Sequence, residues 1–173
     1  MKSLTQAFVV LVALLVFTDS YAEMYTNVTA TRVSLKSDTA KVQPYAAVVK
    51  FGYRFAESLA VEAMYGSSAN DDSLDGGKVE IDKMTAIFIR MGGQSTYNGV
   101  RSYLLLGTST TEVKYSNVPT PGETKLEGTA WGIGLEESSQ SVRNMSYVLE
   151  YVQFADDKDT KVTGISLGVR YTF

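Results

Sequence analysis

From residue 42 onward the chain alternates. Over residues 42–55 one parity carries Tyr45, Ala47, Val49, Phe51, Tyr53 and Phe55, and the other carries Pro44, Ala46, Val48, Lys50, Gly52 and Arg54. Period two over that length predicts a β-strand with two unlike faces. The pattern returns in Leu59, Val61, Ala63 and Tyr65 against Ala60, Glu62, Met64 and Gly66. It returns again in Thr129, Trp131, Ile133 and Leu135 against Ala130, Gly132, Gly134 and Glu136. At the C-terminal end Ile165, Leu167, Val169, Tyr171 and Phe173 oppose Gly164, Ser166, Gly168, Arg170 and Thr172. Three segments are less regular: 24–35 has ambiguous faces, 79–91 places Ile81, Ile87, Ile89 and Met91 together against Phe88 and Arg90, and 100–111 brings Arg101 onto the charged side. Eight strands are predicted, at 24–35, 42–55, 58–66, 79–91, 100–111, 128–137, 145–154 and 162–173.

The links between them alternate as well. Those at 56–57, 92–99 and 138–144 form one set, whereas 36–41, 67–78, 112–127 and 155–161 are rich in charge, Gly, Ser or Pro and include the two longest. An up-and-down barrel in an outer membrane has this asymmetry, with short turns on the periplasmic side and longer loops outside. A soluble eight-stranded barrel would share the alternation but turn its apolar parity inward. The polar parity argues for the membrane. Gly52, Ala60, Gly66, Ala130, Gly132, Gly134, Gly164, Ser166 and Gly168 are too small for a solvated surface and suit a narrow lumen. Eight strands leave an interior just wide enough for side chains. Lys50, Arg54, Glu62, Arg90, Arg101, Glu136, Glu150 and Arg170 share that parity and form a candidate lumen charge network, since buried charges must pair. Aromatic residues on the other parity near strand ends suit the two interfacial girdles of such barrels. The predicted fold is all-β, an eight-stranded antiparallel up-and-down transmembrane β-barrel.

The N-terminus reads as an export signal over residues 1–22. Lys2 precedes eleven uninterrupted apolar residues at 7–17, and Ser20 and Ala22 are the small residues a signal peptidase reads. Eleven helical residues span about 16 Å, too short for a hydrocarbon core of roughly 30 Å. Cleavage after Ala22 leaves residues 23–173 as one barrel domain.

Composition removes many activities. Of 173 residues, 16 are basic and 19 acidic, for a net charge of −3, which argues against nucleic-acid binding. Neither Cys nor His occurs, so disulfides, thiolate or imidazole metal sites and a Ser-His-Asp triad are excluded. Asp71, Ser73, Asp75, Gly76 and Asp82 have calcium-loop spacing, but residue 79 onward alternates like a strand rather than a flanking helix; no metal or cofactor is expected. Asn27 and Asn144 head glycosylation sequons that match by chance, and Gly132 and Gly134 lack the third glycine of a dinucleotide fingerprint.

The last residues, Gly168-Val169-Arg170-Tyr171-Thr172-Phe173, resemble the C-terminal signal read by the bacterial barrel-assembly machinery, with Gly168, Tyr171 and Phe173 matching and Leu167 departing at the polar position. With the leader and the eight strands, the chain resembles the small outer-membrane β-barrel group (OmpA/OmpX-like, porin family). That resemblance implies outer-membrane lipid, lipopolysaccharide and the assembly machinery as partners and a monomer; with no His to serve as a base, no enzymatic activity is expected. Three functional readings stand: a barrel with a structural or loop-mediated role, a narrow pore for ions or small solutes, and a soluble secreted ligand-binding barrel.

Overall fold

The computed structural model describes residues 22–37, 41–70, 72–74, 77–92, 99–116, 122–157 and 160–173. Eight long strands build a closed antiparallel barrel: β1 Glu23–Ser37, β3 Tyr45–Ala56, β4 Leu59–Ser68, β6 Gly77–Gly92, β7 Val100–Ser116, β8 Gly122–Ser138, β9 Met145–Asp157 and β10 Thr160–Thr172. Two short strands, β2 Lys41–Val42 and β5 Asp72–Leu74, extend the rim by pairing with β1 and β6. Pro44 helps to separate β2 from β3, because it has no N–H to give a ladder; its carbonyl accepts from the Val33 amide at 2.9 Å instead. Each long strand pairs with its sequence neighbour, and β10 closes on β1 from Tyr25↔Thr172 to Ser37↔Thr160. No sheet edge remains along the paired length, as a membrane-spanning sheet requires. The predicted leader falls outside the described residues up to position 21.

The two parities face opposite ways. Phe51, Tyr65, Ile133, Leu149, Leu167 and Phe173 are exposed, while Val48, Glu62, Glu136, Val148, Glu150 and Arg170 are buried. Along β10 the outward apolar residues run from Ile165 to Phe173, eight residue steps, or about 27 Å of strand. At a tilt near 40–45° that is a height of roughly 20 Å, close to the apolar band of membrane barrels. Described charges first appear on the outward face beyond this band, at Arg32, Lys83, Glu127 and Lys161 on one side and Glu137 on the other.

Bulges interrupt the register at three places, the one on β3 making Phe55 an extra residue between Arg54 and Ala56. Ile81 pairs with Val113 but Lys83 pairs with Glu112, so Asp82 is an extra residue. Ile81 therefore points inward, 1% exposed, whereas Ile87 and Ile89 point outward; the sequence pattern had put all three on one face. On β9 Phe154 is the extra residue between Gln153 and Ala155, and it is buried inside. The shift at Asp82 brings Val79 and Ile81 into the loop-side half of the interior, where they join Val33, Leu35, Met84, Val113, Phe154 and Val162. The buried charges of the expected lumen are thus confined to the half nearer the chain termini, with Thr111 among the few polar groups of the other half.

Candidate functional site

That half holds one layer of side chains to which every long strand contributes: Tyr25 from β1, Lys50 from β3, Glu62 from β4, Arg90 from β6, Tyr103 from β7, Glu136 from β8, Glu150 from β9 and Arg170 from β10. All eight are at most 5% exposed. The charges balance, three cations against three carboxylates. Glu62 is the hub. It accepts the Tyr25 hydroxyl at 2.7 Å and lies 3.7 Å from Lys50 Nζ, 3.9 Å from Arg90 Nε and 3.4 Å from Arg170 Nη2. Glu136 accepts from Arg90 Nη2 at 2.6 Å and from Arg170 Nη1; Glu150 accepts from Lys50 Nζ and, at 2.8 Å, from the Tyr103 hydroxyl. Arg170 also donates from Nε to Asn27 Oδ1 at 2.7 Å.

The tyrosine rings complete the layer. The Arg90 guanidinium carbon sits 3.9 Å from the Tyr103 ring centre, and that of Arg170 sits 4.3 Å from the Tyr25 ring. Guanidinium faces stack on aromatic faces while their edges remain free to bind carboxylates. Space for the rings comes from glycine. Tyr25 is the cross-strand partner of Gly52 and Tyr103 that of Gly134. A Cβ at Gly52 would lie 2.0 Å from Tyr25 Cζ, and one at Gly134 would lie 2.2 Å from Tyr103 Cζ.

Six of the eight predicted lumen charges therefore meet in one layer. Arg54 lies at the barrel mouth, where its Nη1 pairs with Glu23 and its guanidinium lies 5.9 Å from the Tyr25 ring. Arg101 stands apart: it is half-buried at the same mouth and joins no ion pair among the described residues. Both line a polar cleft of about 260 Å³ beside Glu23 and Ser138. Sequence reasoning missed Tyr25 and Tyr103. Tyr25 lay in the segment whose faces were ambiguous, and the signal that would have found both, a tyrosine opposite a glycine, needs the cross-strand register. Asn27, head of a sequon, is buried against Arg170. Of the calcium-like run, Asp71, Asp75 and Gly76 lie outside the described residues, and Asp82 is bound by Lys114 Nζ at 2.8 Å. Among the described residues no group of acidic side chains is placed to hold a metal ion.

The layer has no thiol or imidazole, and each carboxylate is neutralised by a neighbour. Its geometry ties eight strands together. A sequence profile of the outer membrane protein beta-barrel domain matches residues 4–173. The chain belongs to this family. It is a bacterial outer-membrane protein, and its outward apolar parity meets lipid, which overturns the soluble-barrel reading. In barrels of this kind short turns lie on the periplasmic side and longer loops outside, so by that rule the rim bearing β2 and β5 corresponds to the outer side.

Solved barrels share the fold. The attachment invasion locus protein Ail of Yersinia pestis, solved with the heparin analogue sucrose octasulfate, superposes with a TM-score of 0.65 at 20% identity, covering 88% of this chain and 99% of that one. Neisserial surface protein A gives 0.68 at 15% identity over 87% and 97%. The N-terminal barrel domain of Pseudomonas aeruginosa OprF gives 0.61 at 15% identity over 88% and 99%. No curated protein matches in sequence.

Proposed function

We propose that this protein is a closed, non-catalytic barrel that supports the outer membrane and works through its outer rim and loops. The observation that carries this reading is the filling of the interior at two levels. Beneath lies the charge layer, with Glu62 and Arg170 wholly buried; above it the apolar stack from Val33 to Val162 occupies the loop-side half. An ion crossing would have to displace both. Eight-stranded barrels have little spare lumen in any case. The absence of His and Cys from the sequence, and the pairing of every carboxylate in the layer, support a role without catalysis. Gly168, Tyr171 and Phe173 act as the assembly signal in this reading, and the barrel works as a monomer.

Planar-bilayer recording on the refolded protein tests it. The expected result is a silent membrane at protein densities that give steady currents with a porin. Reproducible unitary conductance would replace this reading with the narrow-pore alternative.

A further inference from the structure

At the mouth nearer the chain termini one arginine is deprived of its partner. On β1 and β3, Glu23 stands directly opposite Arg54, and the two pair. On β7 and β8, Arg101 stands directly opposite Glu136 in the same way. Opposite charges in that position stabilise a strand pair. Here, however, the Glu136 carboxylate is turned deeper, to Arg90 Nη2 at 2.6 Å and to Arg170 Nη1. The charge layer thus takes the carboxylate that Arg101 would otherwise hold. Among the described residues Arg101 makes no ion pair, although it is half-buried. Glu57 lines a smaller cleft with Arg54 and Arg101, but it has a partner of its own. A guanidinium drawn out of water without a counter-charge is costly, so the site favours an anion.

The cleft of about 260 Å³ beside Arg101 has room for one. One wall is the β8–β9 turn, which contributes Ser139 and Asn144. That turn is held in place: the Ser139 amide donates to the Met145 carbonyl at 2.8 Å, and the Thr172 amide donates to the Asn144 carbonyl at 2.9 Å. Ser139 Oγ accepts from the amides of Ser141 at 3.3 Å and Val142 at 3.1 Å. A hydroxyl has two acceptor sites and one donor, so with both acceptor sites used Ser139 has only its proton to offer, which suits an anion. At about 30 Å³ per water, the cleft equals roughly nine waters. That is space for the end of a small molecule. One unpaired guanidinium calls for a single negative charge, and its planar fork matches a carboxylate. A doubly charged phosphate would place surplus negative charge beside Glu23 and Glu136, which line the same cleft.

We propose that this mouth binds the free carboxylate that ends a short peptide, with Arg101 gripping the carboxylate and Ser139 donating to it. By the rule that puts short turns on the periplasmic side, the ligand is a periplasmic one. Two sources present that chemistry there: a stem peptide of the cell wall, which ends in a D-residue, and the C-terminus of a periplasmic polypeptide, which ends in an L-residue. The site lies at the opposite end of the barrel from the outer rim and rests only on the closed, membrane-embedded barrel.

The test uses the barrel comprising residues 23–173 in zwitterionic nanodiscs. The probes are N-acetyl-Ala-Ala in its L,L and D,D forms, each with a free carboxylate or capped as the amide. Binding is followed by NMR through the arginine side-chain N–H resonances. Heat-modifiable gel mobility is read first, so a barrel that does not insert is recognised as a failure of the membrane reading rather than of the site. Wild type is expected to bind a free-carboxylate peptide and not its amide. Preference for the D,D form supports the cell-wall source, and preference for the L,L form supports the polypeptide source. A hydrogen bond to a charged group is worth enough that Arg101→Ala should weaken binding about ten-fold or more. Arg101→Lys should restore part of it, because the charge returns without the fork. Arg143→Ala, on the exposed part of the adjacent turn, should leave it unchanged. Equal binding of acid and amide by wild type, or unchanged binding by an inserted Arg101→Ala barrel, overturns the proposal. So does displacement of the peptide by inorganic phosphate at equal concentration, which would make the mouth a simple anion site.

Discussion

Substituting Glu62 by Gln keeps the size of the side chain and an oxygen for the Tyr25 hydroxyl but removes the hub charge. Lys50, Arg90 and Arg170 would then share only Glu136 and Glu150, leaving one uncompensated cation in a layer that water does not reach. Glu62 is 0% exposed and lies within 4 Å of all three cations. Breaking a buried ion pair by removing one partner costs about 3–5 kcal/mol, and an exposed pair about 0–1. Equilibrium urea unfolding of the barrel in lipid bilayers reads the difference. With a slope of about 1–3 kcal/mol per molar urea, a loss of about 4 kcal/mol moves the midpoint by roughly 1.5–4 M. Glu127→Gln, on the outward face and bonded to Lys125, is the matched control and should move it by less than about 1 M. A second arm uses Lys50→Met. Because Lys50 faces both Glu62 and Glu150, the double variant with Glu62→Gln should lose less than the sum of the single losses, since each change removes a charge the other leaves unpaired. A Glu62→Gln loss below about 1 kcal/mol, equal to the control, would refute the claim that the layer is dry and mutually neutralised.

Four further outcomes are expected. Gly52→Ala forces a methyl into the Tyr25 ring, where the built Cβ lies 2.0 Å from Cζ, so it should cost about 1–3 kcal/mol or more in the same unfolding assay. Leu167→Arg places a charge on the lipid face and should cost roughly 2–4 kcal/mol, whereas Lys161→Arg, above the band, should be nearly neutral. Single Cys substitutions at Val49, Leu149 and Leu167 should be shielded from a water-soluble thiol reagent in liposomes, and a fluorophore there should be quenched from the lipid; ready aqueous labelling would argue for the opposite register. N-terminal sequencing of the membrane-extracted protein should begin at Glu23, and recovery of Met1 would rule out cleavage after Ala22.

Much of the architecture is written locally. Which residues share a face depends only on parity within a strand, so Val49, Leu149 and Leu167 outside and Glu62, Glu150 and Arg170 inside could be read from the chain. The errors fall where parity is broken by an added residue. Asp82 and Phe154 are bulges, and a bulge is defined by the partner strand: two residues oppose one across the ladder, and nothing in residues 79–91 alone announces it. In the apolar stack of the loop-side interior, Val79 and Ile81 owe their place to the bulge at Asp82, and Val33 and Leu35 come from β1, whose Thr-rich sequence left its faces undecided.

The sequence by itself determined that strands form, how many, which side is apolar and which charges need partners, because alternation and composition are properties of neighbouring residues. Only the tertiary structure decided who meets whom. Tyr25 stands opposite Gly52, Tyr103 opposite Gly134, and Lys36 opposite Lys161 because the closed barrel aligns strands far apart in the chain, bringing Asn27 against Arg170 across 143 positions. The division of the interior has the same origin. Glu62 gathers three cations from three strands because closure brings them to one height, and register across a ladder is a non-local quantity that hydrogen bonding and packing choose together.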